Sequence, residues 1–370
     1  MKAIVIRTNL KEGLLAAERA EGSATSLPIL KNVLLETENN KIRLVATNLE
    51  IAISCLVSGK TLEEGKVTVP LGTLAGIINN LQSERLNLEK KGNNLEIKSD
   101  NYRATLQGLP AEDFPLVPKI KNPEGFLEIK AETLKDAIGQ VVVATQASDL
   151  RPELNSMLFD FSLDTIKLAA TDSFRLAEKS IPNNEFESSH AEEFRALIPL
   201  KTAQELLRVL KGEEAVKIYH DQNQVLFKTD QTEIISRLLE GSFPDYAAIV
   251  PKKFGAEIVV DRQELINAIK LASVFGSRTN EVKITLSDNK KTVEISSADQ
   301  AVGENAYLLP AKAEGKTGEI IFNWRYLLDA LRALKTEDVF LGLNEEGEPA
   351  LIRSTKEGSY FYILKPILKT

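Results

Sequence analysis

The stretch PLKTAQELLRVL (199–210) decides the fold, because it has two counterparts: PLGTLAGIINNL begins at Pro70 and NWRYLLDALRAL at Asn323, at near-equal spacing along the chain. In each, apolar residues return every three or four positions, the mark of a helix with one buried face. Each is followed by two strands across a polar turn, in LNLEKKGNNLEIKS (86–99), VKIYHDQNQVLFKT (216–229) and VFLGLNEEGEPALIRS (339–354). Upstream of each lies a second helical pattern, NLKEGLLAAERA (9–20), ETLKDAIGQVVVAT (132–145) and RQELINAIKLASVF (262–275), entered from a short alternating strand. A hairpin separates the two helices of each copy, in VLLETENNKIRLVAT (33–47), MLFDFSLDTIKLAAT (157–171) and KITLSDNKKTVEISS (283–297). The order predicts three copies of one α+β unit, over residues 1–122, 123–250 and 251–370. Repeats of this length are domains with their own cores rather than the short units of a solenoid. The joins EDFPLVPKIKNPEG (112–125) and GSFPDYAAIVPKKFG (241–255) agree, since Pro and Gly mark where regular structure stops.

Composition narrows the function. The 370 residues are 43% hydrophobic and 27% charged, an ordinary globular balance, with a net charge of −7. Such a chain does not grip nucleic acid by being basic all over, so only a locally basic or topological mode remains. One cysteine, Cys55, excludes an internal disulfide framework, and two histidines argue against a His-based metal site. The expected setting is a reducing cytoplasm, with no export signal and no membrane span. Both GKT tripeptides lack the glycine a phosphate-binding loop needs five positions earlier, where Ser54 and Pro310 stand. Cys55 lies in the apolar run ISCLV, where a thiol behaves as a small inert hydrophobe. No catalytic residue, metal or cofactor is therefore expected.

A helical wheel sharpens the locally basic mode. In the middle copy Ala203, Leu206, Leu207 and Leu210 gather on one side, while Lys201, Arg208 and Lys211 fall on the other. The matching positions of the third copy are Arg325, Arg332 and Lys335; those of the first are the neutral Gly72, Asn79 and Gln82. Register-matched repetition of a basic face points to a shared surface rather than to solubility alone. The lysine pairs 90–91, 252–253 and 290–291 read instead as solvated loops.

LPILKNVLLE (27–36), RPELNSMLF (151–159), LAATDSFRLA (168–177), PLKTAQELLRVL, GSFPDY (241–246), NWRYLLDALRAL and PALIRS (349–354), in this order and spacing, resemble the bacterial DNA polymerase III beta subunit, the replicative sliding clamp. The resemblance spans the whole chain. It implies three domains of one DNA-clamp fold, with paired helices lining a pore and antiparallel sheets outside, and two chains joined head to tail as a homodimeric ring. It further implies a processivity factor without catalytic activity. Such a ring encircles duplex DNA without reading sequence, and holds DNA polymerase, the clamp loader and other replication and repair proteins through short hydrophobic peptides.

Carried over position by position, the resemblance places the peptide pocket at Arg151, Leu154, Thr171, Leu176, Pro244, Ile249, Asn323, Tyr326, Ile363, Pro366 and Ile367. The DNA-facing residues become Lys201, Arg208, Lys211, Arg325, Arg332 and Lys335, and the joint between chains Leu106, Val274 and Phe275. A pocket open to water predicts that Leu176→Asp or Ile363→Asp abolishes peptide binding while folding survives. Departures from the family pattern are Glu153 beside the slot, Ala247 and Ala248 after FPDY, Lys365 in place of a methionine, and Ala24 in place of an arginine before LPIL. Two other readings are an enzyme using Asp172 and Arg175, against which an Asp–Arg pair simply holding a turn is favoured, and a clamp-like scaffold that binds peptides but never DNA.

Overall fold

The computed structural model describes residues 1–22, 27–120, 125–145, 151–190, 192–276, 279–345 and 347–368; Ala24, and Asn122 and Pro123 at the first expected boundary, lie outside them. Among the described residues six α-helices stand where the repeats place them: α1 (Arg7–Ala17), α2 (Leu71–Asn80), α3 (Ala131–Val141), α4 (Leu200–Val209), α5 (Arg262–Val274) and α6 (Trp324–Ala333). Local chemistry sets several ends. Asp261 caps α5 by accepting from Glu264 N at 2.7 Å, and Asn323 caps α6 by accepting from Arg325 N at 3.0 Å, each satisfying an amide that no helical carbonyl reaches. After α4 the chain turns through Gly212 at φ +61°, the left-handed region that glycine enters without strain.

The chain forms two compact units, and the middle copy contributes to both. The first unit comprises Met1–Glu132, Phe186–Ala191 and Arg208–Leu238. Its thirteen-stranded antiparallel sheet turns on one long strand, Ile51–Glu63. That strand pairs with Lys41–Thr47 and Lys2–Ile6 of its own copy and with Thr232–Arg237 of the middle copy, Ile234 facing Ile53. α1 and α2 pack against each other, α1 also against the long strand, and they bury Leu10, Leu14, Leu74 and Ile78. Gly13 permits the approach: a Cβ there would stand 2.5 Å from Val57 Cγ2 and 2.8 Å from Leu44 Cδ1.

The second unit comprises Thr133–Glu185, Glu192–Leu207 and Leu239–Thr370, with a nine-stranded and a four-stranded antiparallel sheet. Strand Arg175–Pro182 of the middle copy pairs with Tyr360–Leu364 of the third, so backbone ladders cross the boundary between copies in each unit. Each such ladder covers a strand edge that a separate domain would leave open. α5 packs on α6 and on the strands Thr292–Asp299 and Gly303–Pro310. α3 is tied to α6 by Gln140 Nε2, which donates to Ala333 O at 3.0 Å. Among the strands that end their sheets are Arg103–Leu106 in the first unit and Gly303–Pro310 in the second, each paired on one side only among the described residues.

Candidate functional site

In the second unit the turn from Thr171 to Arg175 joins two strands and shapes a cavity. Asp172 Oδ1 accepts from the backbone N of Phe174 at 2.9 Å and of Arg175 at 3.0 Å, while Thr171 Oγ1 donates to Arg175 O at 2.7 Å. Short polar side chains bonding their own backbone in this way stabilise a tight turn. Arg175 is buried and spends its guanidinium on Asp172 Oδ2 at 2.8 Å, Asp329 Oδ2 at 2.7 Å and Thr145 O at 3.2 Å, lying 4.1 Å above the ring of Tyr326. Burial is the largest single influence on it and works against its charge. Tyr362, Asp172 and Asp329 together outweigh burial and raise its pKa above the ordinary arginine value. Both oxygens of Asp172 are engaged in holding the turn, which is the structural role and not that of an acid–base pair.

The cavity encloses about 830 Å³ and takes in Arg151, Leu154, Thr171, Leu176, Pro244, Ile249 and Ile363. Leu176 faces Thr171 across one ladder and Ile363 across the next, so strand register brings together residues distant in sequence. The other four expected lining residues have different work. Asn323 caps α6, Tyr326 lies under Arg175, and Ile367 N donates to Ile321 O at 2.7 Å, holding the tail, Pro366 included, against strand Ile320–Asn323. Sequence reasoning missed Phe174, which is 60% exposed on the cavity wall beside half-exposed Ile249. The available signal was an aromatic residue inside the polar turn TDSFR. It also passed over Lys252 and Lys253 as ordinary loop residues, although both line the cavity together with Lys365.

Burial overturns one expectation. Leu176 is 1% and Ile363 2% exposed, each inside a β-ladder, so a carboxylate at either position would be desolvated and would unfold the cavity floor. Phe174, exposed on the same cavity, carries no such burial cost. Glu153 does not line the cavity: its Oε1 accepts from Arg151 Nε at 3.1 Å. A bond from its own backbone N–H and the Arg151 contact hold its carboxyl below the usual range.

Lys201 and Arg208 on α4 and Arg325 and Arg332 on α6 are all exposed. Lys211 and Lys335 are exposed too, but they lie past the last residues of their helices, Val209 and Ala333, so the wheel that grouped them with the helix faces does not apply. Lys335 Nζ is bonded to Asp136 at 2.5 Å, and the Arg325 guanidinium lies 5.0 Å from the ring centre of Trp324. Gly72, Asn79 and Gln82 are exposed and bring no charge. Of the expected joint residues, Val274 is 67% exposed, Phe275 is half-buried, and Leu106 is already 5% exposed within its own sheet.

Family models of the DNA polymerase III beta subunit match the chain in order: the N-terminal domain over residues 1–118, the central domain over 128–245 and the C-terminal domain over 247–367. The chain belongs to this family. Beta sliding clamps similar to it include those of Synechococcus elongatus, 27% identical over 376 residues, and Bacillus subtilis, 27% over 380, each alignment covering 99% of both chains. Among solved structures, the Bacillus subtilis sliding clamp superposes with a TM-score of 0.94 at 26% identity. A Pseudomonas aeruginosa clamp bound to griselimycin gives 0.94 at 27%, and both cover 100% of both chains. The protein is thus a DNA polymerase III sliding clamp of three clamp domains, built from helices and antiparallel sheets, and a processivity subunit rather than a catalyst. Among the described residues no helix is long and apolar enough to cross a membrane.

Proposed function

We propose that two copies close head to tail into a ring around duplex DNA in the cytoplasm, with the paired helices lining the pore and the domains running over 1–122, 123–250 and 251–370. The ring slides without reading sequence and tethers DNA polymerase and the clamp loader through short peptides held in the cavity of the second unit. The observation that carries this reading is the exposed basic set repeated on α4 and α6 in a chain of net charge −7. Contacts to phosphate position a protein without specifying bases, and a closed ring needs few of them to stay on. For the joint, the open strand edges Arg103–Leu106 and Gly303–Pro310 supply unpaired backbone groups, and exposed Leu271, Val274, Val302 and Leu308 supply apolar surface.

Topology tests it. Loaded onto a nicked circular plasmid, the protein should survive a salt wash that strips simple phosphate contacts, and a single cut should release it. Equal loss from circular and linear DNA would reduce the basic set to an electrostatic patch, and peptide binding without any retention on the circle would make the protein a scaffold. Replacing Lys201, Arg208, Lys211, Arg325, Arg332 and Lys335 with Glu should remove most of the salt dependence of direct DNA binding, about 0.9 in log K per neutralised phosphate for each decade of salt.

A further inference from the structure

The cavity of the second unit carries a charge pattern that the tethering reading does not use. Cations from three separate segments meet on it: Arg151 ahead of the turn Pro152–Leu154, Lys252 and Lys253 after the middle copy, and Lys365 at the end of the last strand. Against them stand Asp245, whose Oδ1 accepts from Ala247 N at 3.2 Å, and Glu348. Arg151 is engaged by Glu153 and by Ser173 Oγ at 3.2 Å. Lys252, Lys253 and Lys365 are exposed and form no ion pair with a described residue. Lys365 is nonetheless fixed in place: its backbone N donates to Phe174 O at 2.8 Å, which sets its Cα beside the exposed aromatic wall.

Resting on the reading of this cavity as a peptide slot, we propose that its occupant is an acidic peptide, with apolar anchors for the slot and flanking carboxylates that meet the lysines of the rim. The physical ground is complementarity. A chain of net charge −7 repels acidic segments at long range, yet this apolar cavity is edged by three lysines without partners among the described residues. Charge clustered around a low-dielectric cleft selects ligands of opposite sign and raises their rate of encounter. A neutral apolar peptide would use the slot and leave the rim idle.

The test uses the full-length protein and a displayed library of random nine-residue peptides. Binders that are lost on Phe174→Asp are slot binders, and they should be enriched in Asp and Glu beside their apolar positions. Resynthesised with Asn and Gln at those positions, they should bind about twofold to fivefold more weakly per carboxylate removed at low salt, a loss that shrinks as salt rises. Lys365→Met combined with Lys252→Ala and Lys253→Ala should abolish the difference between charged and neutral peptides. Slot binders without acidic enrichment, or with equal affinity for both forms, would overturn the proposal and leave the slot itself standing. Peptides that bind Phe174→Asp as well as wild type would remove the slot reading and this inference with it.

Discussion

The turn at 47–51 in the first unit and the turn at 171–175 in the second are built alike and end differently. In the first, Thr47 Oγ1 donates to Ile51 O at 3.0 Å, Asn48 Oδ1 accepts from Glu50 N at 3.0 Å and Ile51 N at 2.9 Å, and Leu49 sits at φ +76°. In the second, Thr171, Asp172 and Ser173 take the same places, with Ser173 at φ +77°. The first turn leads into Ile51, buried and paired with Ser236 of strand Thr232–Arg237, and the second into Arg175 with its two carboxylates and the cavity. A repeated backbone device therefore carries no function by itself. What the fifth residue of the turn is, and what the neighbouring copy lays beside it, separates plain core from an open cavity.

The largest effect should come from that fifth residue. Arg175→Met leaves Asp172, only 5% exposed, without its cation, and should cost about 3–5 kcal/mol in urea unfolding. Ile51→Val at the matching position of the first turn should cost about 1 kcal/mol. Equal losses in the two variants would mean that the buried charge does not organise the second turn.

Next comes the split between wall and floor. Leu176→Asp should destabilise the protein by several kcal/mol, on the order of the cost of burying an unpaired charge. Phe174→Asp should change stability by no more than about 0.5 kcal/mol, as befits an exposed side chain, while removing peptide binding measured by fluorescence anisotropy. A Phe174→Asp protein that binds peptide normally would erase the functional difference between the turns.

The shared device itself should give smaller and matched effects. Thr47→Val and Thr171→Val each remove a hydroxyl that donates to one backbone carbonyl and accepts from one backbone N–H, and each should cost about 1–2 kcal/mol. Unequal losses would show that the turns are alike in form only. Smallest of all, Leu49→Gly and Ser173→Gly relieve a left-handed backbone at the expense of a more flexible unfolded chain, for a net gain of about 0.5 kcal/mol that a thermal melt should detect in both.

Much of this molecule was legible before its structure, and the reason is range. Helix periodicity, strand alternation and polar turns are local signals, so the three copies, the six helices and the hairpins could be read from short windows. The exposed basic positions Lys201, Arg208, Arg325 and Arg332 were legible for the same reason, since one helical wheel separates buried from exposed. The wheel failed for Lys211 and Lys335 because it carries no information about where a helix stops. Of the residues the family resemblance implies, seven line the cavity, and the other four lie outside that lining as a cap, a ring beneath Arg175 and a tethered tail.

By itself, then, the sequence determined which segments are helix or strand, how often the unit repeats, and which helix faces carry charge. Tertiary structure alone decided that Thr232–Arg237 completes the sheet of the first copy and that Arg175–Pro182 joins the third. It alone placed Phe174, Lys252, Lys253 and Lys365 around one cavity and made Leu176 floor rather than accessible lining. The physical reason is that strand pairing is non-local: a ladder is made by whichever distant edge is left open, and its register sets which side chains share a face.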